Sequence, residues 1–298
     1  KIRAKKGDTV LEALHQNGIR VPTLCRMEGF SSTGACRMCV VEVEGKSGLI
    51  PSCSYPVEEA LKIKTHTPRV IQARKMLVEL LLSNHPDDCL YCASNGNCEL
   101  QDLAVELNIR ERRVSGEKTK ANIDQSSPGI VRDPAKCILC GRCVRVCEEI
   151  IGVSTFDFYK RGDKTSITTS MNKDLNFSNC VHCGQCIVVC PTGSLMEKTN
   201  FDIVQQMLDN KEVQVIAQYS SSIAVSIADE LGLRTAKDLN GILNAVLRRI
   251  GFNKVFNTSF AADVAIYEQS AELADRVKNE ENLPMISSCC PAWIKHME

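Results

Sequence analysis

Between residues 137 and 190 one pattern occurs twice. "CILCGRCVRVC" places cysteines at 137, 140, 143 and 147, and "CVHCGQCIVVC" places them at 180, 183, 186 and 190. The whole chain carries 17 cysteines in 298 residues. A disulfide framework is the plain alternative. Against it, the count is odd, no secretion signal is visible, and most of these cysteines stand two residues from the next. Neighbours that close are poorly placed to pair with each other, but they can grip one metal centre. Structural zinc also favours C-x-x-C, usually with two ligands from each of two turns. Here three or four thiols come from a single run, which is how iron–sulfur clusters take them.

The remaining cysteines extend the same reading. Cys25, Cys36, Cys39 and Cys53 are spaced C-x10-C-x2-C-x13-C, with three thiols on one loop and a fourth further on. This is close to the plant-type two-iron pattern, with a longer first gap. Further along, "HPDDCLYCASNGNCEL" holds Cys89, Cys92 and Cys98. Three cysteines are one short of a four-iron cluster, and imidazole nitrogen is a competent iron ligand. His85, four residues upstream of Cys89, therefore becomes the candidate fourth ligand, although a lone histidine is ordinarily a surface or satisfied core residue. Gly141 and Gly184 let the backbone pass close to a cluster. His182, between two candidate ligands, reads as a neighbour. Fifteen cysteines plus His85 are used in this way, leaving only Cys289 and Cys290.

Composition narrows the function classes. Basic and acidic residues balance at 36 each, against a nucleic-acid binder. With 44% hydrophobic residues a core can form, and no apolar run is of membrane-spanning length. The chain reads as soluble and cytoplasmic. Four units are expected. Residues 1–66 hold the two-iron site, with a helix in "DTVLEALHQNGI", a strand in "CVVEVEG", and an opening "KIRAKK" like the second strand of such a domain, so sequence is expected ahead of Lys1. Residues 67–128 hold a helix over "TPRVIQARKMLVELLLSNHP", the His85 site and a connector whose basic residues read as solvated. Residues 129–198 hold the repeat. In 199–298 helices alternate with strands at "VQVIAQY", "KVFNTS" and "PMISS", implying an α/β domain with a parallel sheet and placing Cys289 just past a strand end.

The doubled run resembles the bacterial two-cluster ferredoxins. That resemblance implies crossed ligation, with Cys137, Cys140, Cys143 and Cys190 on one four-iron cluster and Cys180, Cys183, Cys186 and Cys147 on the other. The order of modules, followed by "SSCCPAW" at 287–293, resembles the A subunit of multimeric, electron-bifurcating NAD(P)-linked [FeFe]-hydrogenases and their transhydrogenase relatives. The resemblance covers the whole chain. It implies a β-grasp two-iron domain, one 2Fe-2S and three 4Fe-4S clusters, and the beginning of an α/β catalytic domain. By it, Cys290 would ligate the cube of the family's H-cluster, and Cys289, Glu272 and Arg276 would lie on its proton route. The two later cysteine motifs that complete an H-cluster do not occur before Glu298, so the sequence as given cannot build one; "WIKHME" resembles the opening of the next helix, and continuation is expected. Two departures concern that site. Gln269 stands where the family carries a glutamate, and an amide does not ionise at neutral pH. "QYSSSIAVS" replaces the usual Ala-Pro-(Ser/Ala)-Val-Arg stretch. Drift around a working site is the bland explanation of both.

Four functions are compared. The first is an electron-relay subunit of a multi-subunit NAD(P)- or ferredoxin-linked oxidoreductase. With no G-x-G-x-x-G or P-loop in the chain, NAD(P) and flavin would bind partner subunits, in a hetero-oligomer. The second is reversible H2 oxidation if the chain continues. The third is the large subunit of an NAD-linked formate dehydrogenase or of complex I, against which "SSCCPAW" argues. The fourth is a redox sensor.

Overall fold

The computed structural model describes residues 2–58, 61–119, 121–233, 238–290, 293, 294 and 297. The chain divides into two compact units, Lys1–Lys198 and Thr199–Glu298.

In the first unit, helix α1 (Val10–Gln16) starts at a capping box. The Thr9 side chain accepts from the Glu12 N–H while Glu12 reaches back to the Thr9 N–H, so two orphan donors are satisfied at once. The helix ends at Asn17 and Gly18, the latter at φ 73°. Its apolar face packs on strand β1 (Val40–Val43), which forms an antiparallel sheet with β2 (Ile50–Pro51) and β3 (Ile63–Lys64) in the order β2-β1-β3. Val10, Leu11, Leu14, Val41 and Val43 make this core, and Cys39 and Cys53 belong to it. Residues 2–5, where a strand was expected, join no ladder. A strand exists only by pairing, and none of the described residues offers them a neighbour.

Helix α2 (Pro68–Asn84) has Thr67 as its N-cap and proline in its first turn, and it ends one residue before His85. It carries Arg74, 2% exposed, whose Nε donates to the Met38 carbonyl at 3.0 Å and whose Nη2 donates to Val40 at 2.9 Å. A buried guanidinium thus fastens α2 to the loop bearing Cys36 and Cys39. Helix α3 (Glu99–Glu106) follows Cys98 and shares a core with α2 through Val78, Leu100 and Leu103.

The arginines of the connector after α3 are exposed, as the solvated reading expects, but several of its basic residues are also paired. Arg113 makes a bidentate ion pair with Glu79, which is 3% exposed, and Arg112 pairs with Asp87. Lys118 donates to the carbonyls of Leu82 and His85 and pairs with Asp87. The physical reason is the helix end. Carbonyls in the last turn of α2 have no intrahelical partner, and cations complete them.

The repeat builds around strand β4 (Ile130–Arg132), helix α4 (Arg142–Arg145), strands β5 (Phe156–Tyr159) and β6 (Ser166–Thr169), helix α5 (Gln185–Val188) and strand β7 (Leu195–Glu197). β4 pairs with β7 and β5 with β6, both antiparallel. After α4 the chain makes a π-helical turn, Val146–Ile150. The core joins Ile130, Val146, Phe156, Leu175 and Leu195 to Cys143, Cys180 and Cys186.

The second unit holds α6 (Phe201–Asp209), β8 (Ile216–Tyr219), α7 (Ser221–Glu230), α8 (Leu239–Ile250), β9 (Lys254–Asn257) and α9 (Thr258–Asn279). β8 and β9 pair in parallel, as the alternation predicts. Tyr219, Ala224, Leu243 and Val255 form a small core. The start of the predicted helix at "TAK" lies outside the described residues. "PMISS" is not a strand: residues 285–288 join no sheet and are largely exposed.

Replacing Arg74 with Met should lower stability by about 2–3 kcal/mol, because two buried carbonyls lose a charged donor. The urea unfolding midpoint of the iron-loaded protein measures it, and an unchanged midpoint would mean that Arg74 contributes nothing.

Candidate metal centres

Each group of predicted ligands falls on one side of the local fold that carries it. Cys25, Cys39 and Cys53 are buried at the end of the β1 core, and Cys36 is half-buried beside them. The Cys36 thiol hydrogen-bonds Cys25 and holds it down to about 5, while the same bond and burial push Cys36 up. Cys53 does the same for Cys39, held at about 6. The four sulfurs therefore lie within electrostatic reach of one another. The Leu24 N–H points at the Cys36 sulfur at 3.4 Å, a donor of the kind that offsets the negative charge of a cluster.

His85, Cys89, Cys92 and Cys98 all line one cavity of about 430 Å³. Burial, the largest influence, holds His85 below its ordinary value. Burial thus favours the neutral ring, the form in which histidine binds metal. Gly193, on the loop between α5 and β7, closes one wall of this cavity. A Cβ there would stand 2.8 Å from the Cys92 sulfur and 3.1 Å from Ser94 Oγ.

In the repeat the two runs share one backbone solution. Leu139 and His182 have φ of 56° and 53°, and Gly141 and Gly184 have φ of 73° and 76°. These left-handed positions bend the chain round the sulfurs. They turn the Leu139 N–H toward Cys137 and the His182 N–H toward Cys180, both at 3.4 Å. The His182 ring is engaged with Ser127 Oγ at 2.9 Å. The thiols gather across the repeats. Cys190 acts electrostatically on Cys137, Cys140 and Cys143. Cys147 lines a single apolar cavity with Cys180, Cys183 and Cys186. Burial pushes Cys140 and Cys186 up to about 12, a cost that thiolate ligation to iron would offset. Among the described residues no three His, Cys, Asp or Glu side chains close round a single-ion position. Thiolate and imidazole donors, backbone N–H groups aimed at sulfur and, at the His85 site, a cavity of about 430 Å³ fit iron–sulfur clusters.

Sequence reasoning missed the residues that join these groups. Arg142 and Arg145 lie buried on one turn of α4. Arg142 pairs bidentately with Glu99, next to Cys98, with Nη2 to Oε2 at 2.7 Å. Arg145 donates to the carbonyls of Cys25 and Ser31 and lies 5.9 Å from the Phe30 ring centre. Cys36 and Cys140 line a common cavity of about 230 Å³. Only a contact between distant segments reveals such arginines, so no spacing announces them.

In the second unit Cys289 and Cys290 are exposed, and Pro291 and Ala292 of the "SSCCPAW" motif lie outside the described residues. Gln269 Nε2 donates to Ser287 Oγ at 2.8 Å, and Arg276 pairs with Glu272 on the same face of α9.

Four family models match segments of the chain. Residues 1–68 match a 2Fe-2S iron-sulfur cluster binding domain. Residues 74–113 match the NADH-ubiquinone oxidoreductase-G iron-sulfur binding region, and 127–196 match the ferredoxin-like domain of NADH-quinone oxidoreductase subunit 3. Residues 213–298 match the C-terminal domain of the iron only hydrogenase large subunit. Over 98% of its length the chain is 38% identical to the NADP-reducing hydrogenase subunit HndD of Solidesulfovibrio fructosivorans, covering 52% of that protein. Its homologues are hydrogenase and NADH-oxidoreductase-type subunits. Iron hydrogenase 1 of Clostridium pasteurianum is 33% identical over 97% of the chain and 51% of its own length. The chain thus spans about half the length of these two relatives. Among solved structures, an NAD+-reducing [NiFe]-hydrogenase in the H2-reduced state superposes with TM-score 0.63 and 29% identity, over 67% of this chain and 84% of that one. Iron–sulfur domains of both the two-iron and the four-iron class are present. No helix among the described residues is long and apolar enough to cross a membrane.

Gly193→Ala discriminates a pinned Cys92 from a free one. A free thiol would swing away at little cost, whereas a sulfur held on a cluster cannot. The variant should lose one four-iron signal in anaerobic EPR, with iron content falling accordingly. Full iron content in the variant would mean that Cys92 is not held.

Proposed function

We propose that this chain is an electron-relay subunit of a multi-subunit NAD(P)- or ferredoxin-linked oxidoreductase of the electron-bifurcating hydrogenase kind. In this reading it binds one 2Fe-2S cluster through Cys25, Cys36, Cys39 and Cys53. A 4Fe-4S cluster sits on His85, Cys89, Cys92 and Cys98. Two more are held by Cys137, Cys140, Cys143 and Cys190, and by Cys180, Cys183, Cys186 and Cys147. The observation that carries it is the gathering of fifteen thiols and one imidazole into four groups within 2–198, two of them crossing between the repeats. When bound, such clusters take up and release single electrons. The chain's own residues fix the ligands, supply N–H donors to sulfur and close water out. NAD(P) and flavin then belong to partner subunits, ferredoxin is a candidate exchange partner, and the assembly is a cytoplasmic hetero-oligomer.

A second reading, reversible H2 oxidation, is supported by the match of 213–298 to the iron only hydrogenase domain. Under it Cys290 is a ligand of the catalytic cube, and Cys289, Glu272 and Arg276 serve proton movement. Gln269 weighs against an unaltered route, since its amide can pass a hydrogen bond to Ser287 but cannot hold a titrating proton.

Iron and sulfide analysis with EPR tests the first reading. Both two-iron and four-iron signals are expected from the anaerobically loaded chain, and a colourless, zinc-filled protein would refute it. His85→Cys replaces a neutral ligand with a thiolate. It should lower the midpoint potential of one four-iron signal and leave the others in place. H2 uptake by the matured full gene product separates the second reading from the first.

A further inference from the structure

The cavity shared by Cys147, Cys180, Cys183 and Cys186 is lined almost wholly by apolar groups and thiols. Thr155 is the exception. It is 3% exposed, it lines this cavity, and its Oγ1 is buried without a hydrogen-bond partner. Its own backbone N–H already donates to the Cys147 sulfur at 3.3 Å. Gln185, the other polar side chain on the lining, is exposed and has water available.

The other crossing cysteine provides an internal comparison. Beside Cys190 stands Thr192, equally buried, but its hydroxyl proton is committed to the Lys136 carbonyl at 2.8 Å. Thr155 has no such carbonyl. A buried hydroxyl left unpaired is costly. The acceptors that ligation would place against this wall are thiolate and cluster sulfur.

We propose that Thr155 contacts the cluster held by Cys147, Cys180, Cys183 and Cys186, its hydroxyl donating a hydrogen bond to sulfur, and that this bond raises the potential of that cluster above what its ligands alone would set. The proposal rests on the relay reading of those four cysteines. The direction follows from charge. Reduction adds an electron to an already negative group, and a donor to sulfur stabilises the reduced state more than the oxidised one. The residue thus sets which of the clusters holds an electron more readily.

The test is an EPR-monitored redox titration of the anaerobically loaded full chain. Iron, sulfide and EPR on the unsubstituted protein come first, since failure to find the four-iron centres there would overturn the relay reading itself. Thr155→Val keeps the shape and removes the donor. One four-iron signal should shift to a more negative midpoint, with about a tenfold fall in its reduced-to-oxidised ratio at fixed potential, ~59 mV for a one-electron couple. The other signals should stay within about twofold, and Thr155→Ser, which keeps the hydroxyl, should titrate like the parent. If Thr155→Val does not take up iron, Thr155→Ala is the deciding variant, with the same shift expected. Unchanged midpoints in a fully loaded Val or Ala variant would overturn the role of Thr155.

Discussion

Two buried arginines on one short helix hold the first unit together. Arg142 and Arg145 stand three residues apart on α4, so they point the same way along the helix face. One reaches Glu99 beside the His85 site, and the other reaches the carbonyls of the Cys25 loop. Between them on the same turn sits Cys143. A four-residue helix is too short to be stable by its own hydrogen bonds. Its position is set by these two side chains, by Val144 in the apolar core and by the π-helical turn that continues it. Three groups of candidate ligands become neighbours through one turn of backbone.

The same arginines belong to a wider electrostatic pattern. The chain has no net charge, yet this unit buries Arg74, Arg132, Arg142, Arg145 and Lys136. Isolated cations in such places are expensive. Here Arg74 lies within the field of Cys39, Lys136 within that of Cys92, Arg132 within those of Cys137 and Cys143, and Arg142 within that of Cys140. Burial works against the charge on each of these four, and neighbouring acceptors work for it. Lys136 is drawn down by burial but raised overall by Asp88 and its neighbours. A thiolate-ligated cluster is the natural counter-charge for such residues. Each buried cation already has an oxygen partner, a backbone carbonyl or a carboxylate, and in the relay reading the clusters would add to that counter-charge.

Local chemistry was readable in the sequence, and long-range geometry was not. Cysteine spacing pointed to the ligand groups because ligands to one centre must be close along the chain or brought close by a turn. The helix over α2 was readable from its threonine and proline start and its proline stop. What escaped was every feature made by residues far apart. The connector arginines looked only solvated, since nothing in "NIRERRVSGEKTK" hints that Glu79 waits buried on α2. Residues 285–288 looked like a strand because three apolar positions fit the pattern, but they pair with neither β8 nor β9. Thr155 carries no signature at all, and only its lost hydrogen bond makes it visible.

The two units differ in how far their chemistry depends on residues already in place. The four ligand groups of the first unit all lie within 2–198, and their joints, Arg74, Arg142, Arg145 and Gly193, do too. In the relay reading, the candidate ligands of the first unit do not include α9 or Cys289. The second unit, by contrast, has a small core, and no residue of α9 is buried. Its Gln269 to Ser287 bond joins an amide to a hydroxyl, two groups that do not titrate near neutrality. The matches fit this separation: the first unit resembles parts of NADH-oxidoreductase subunits, and the second resembles an iron only hydrogenase domain.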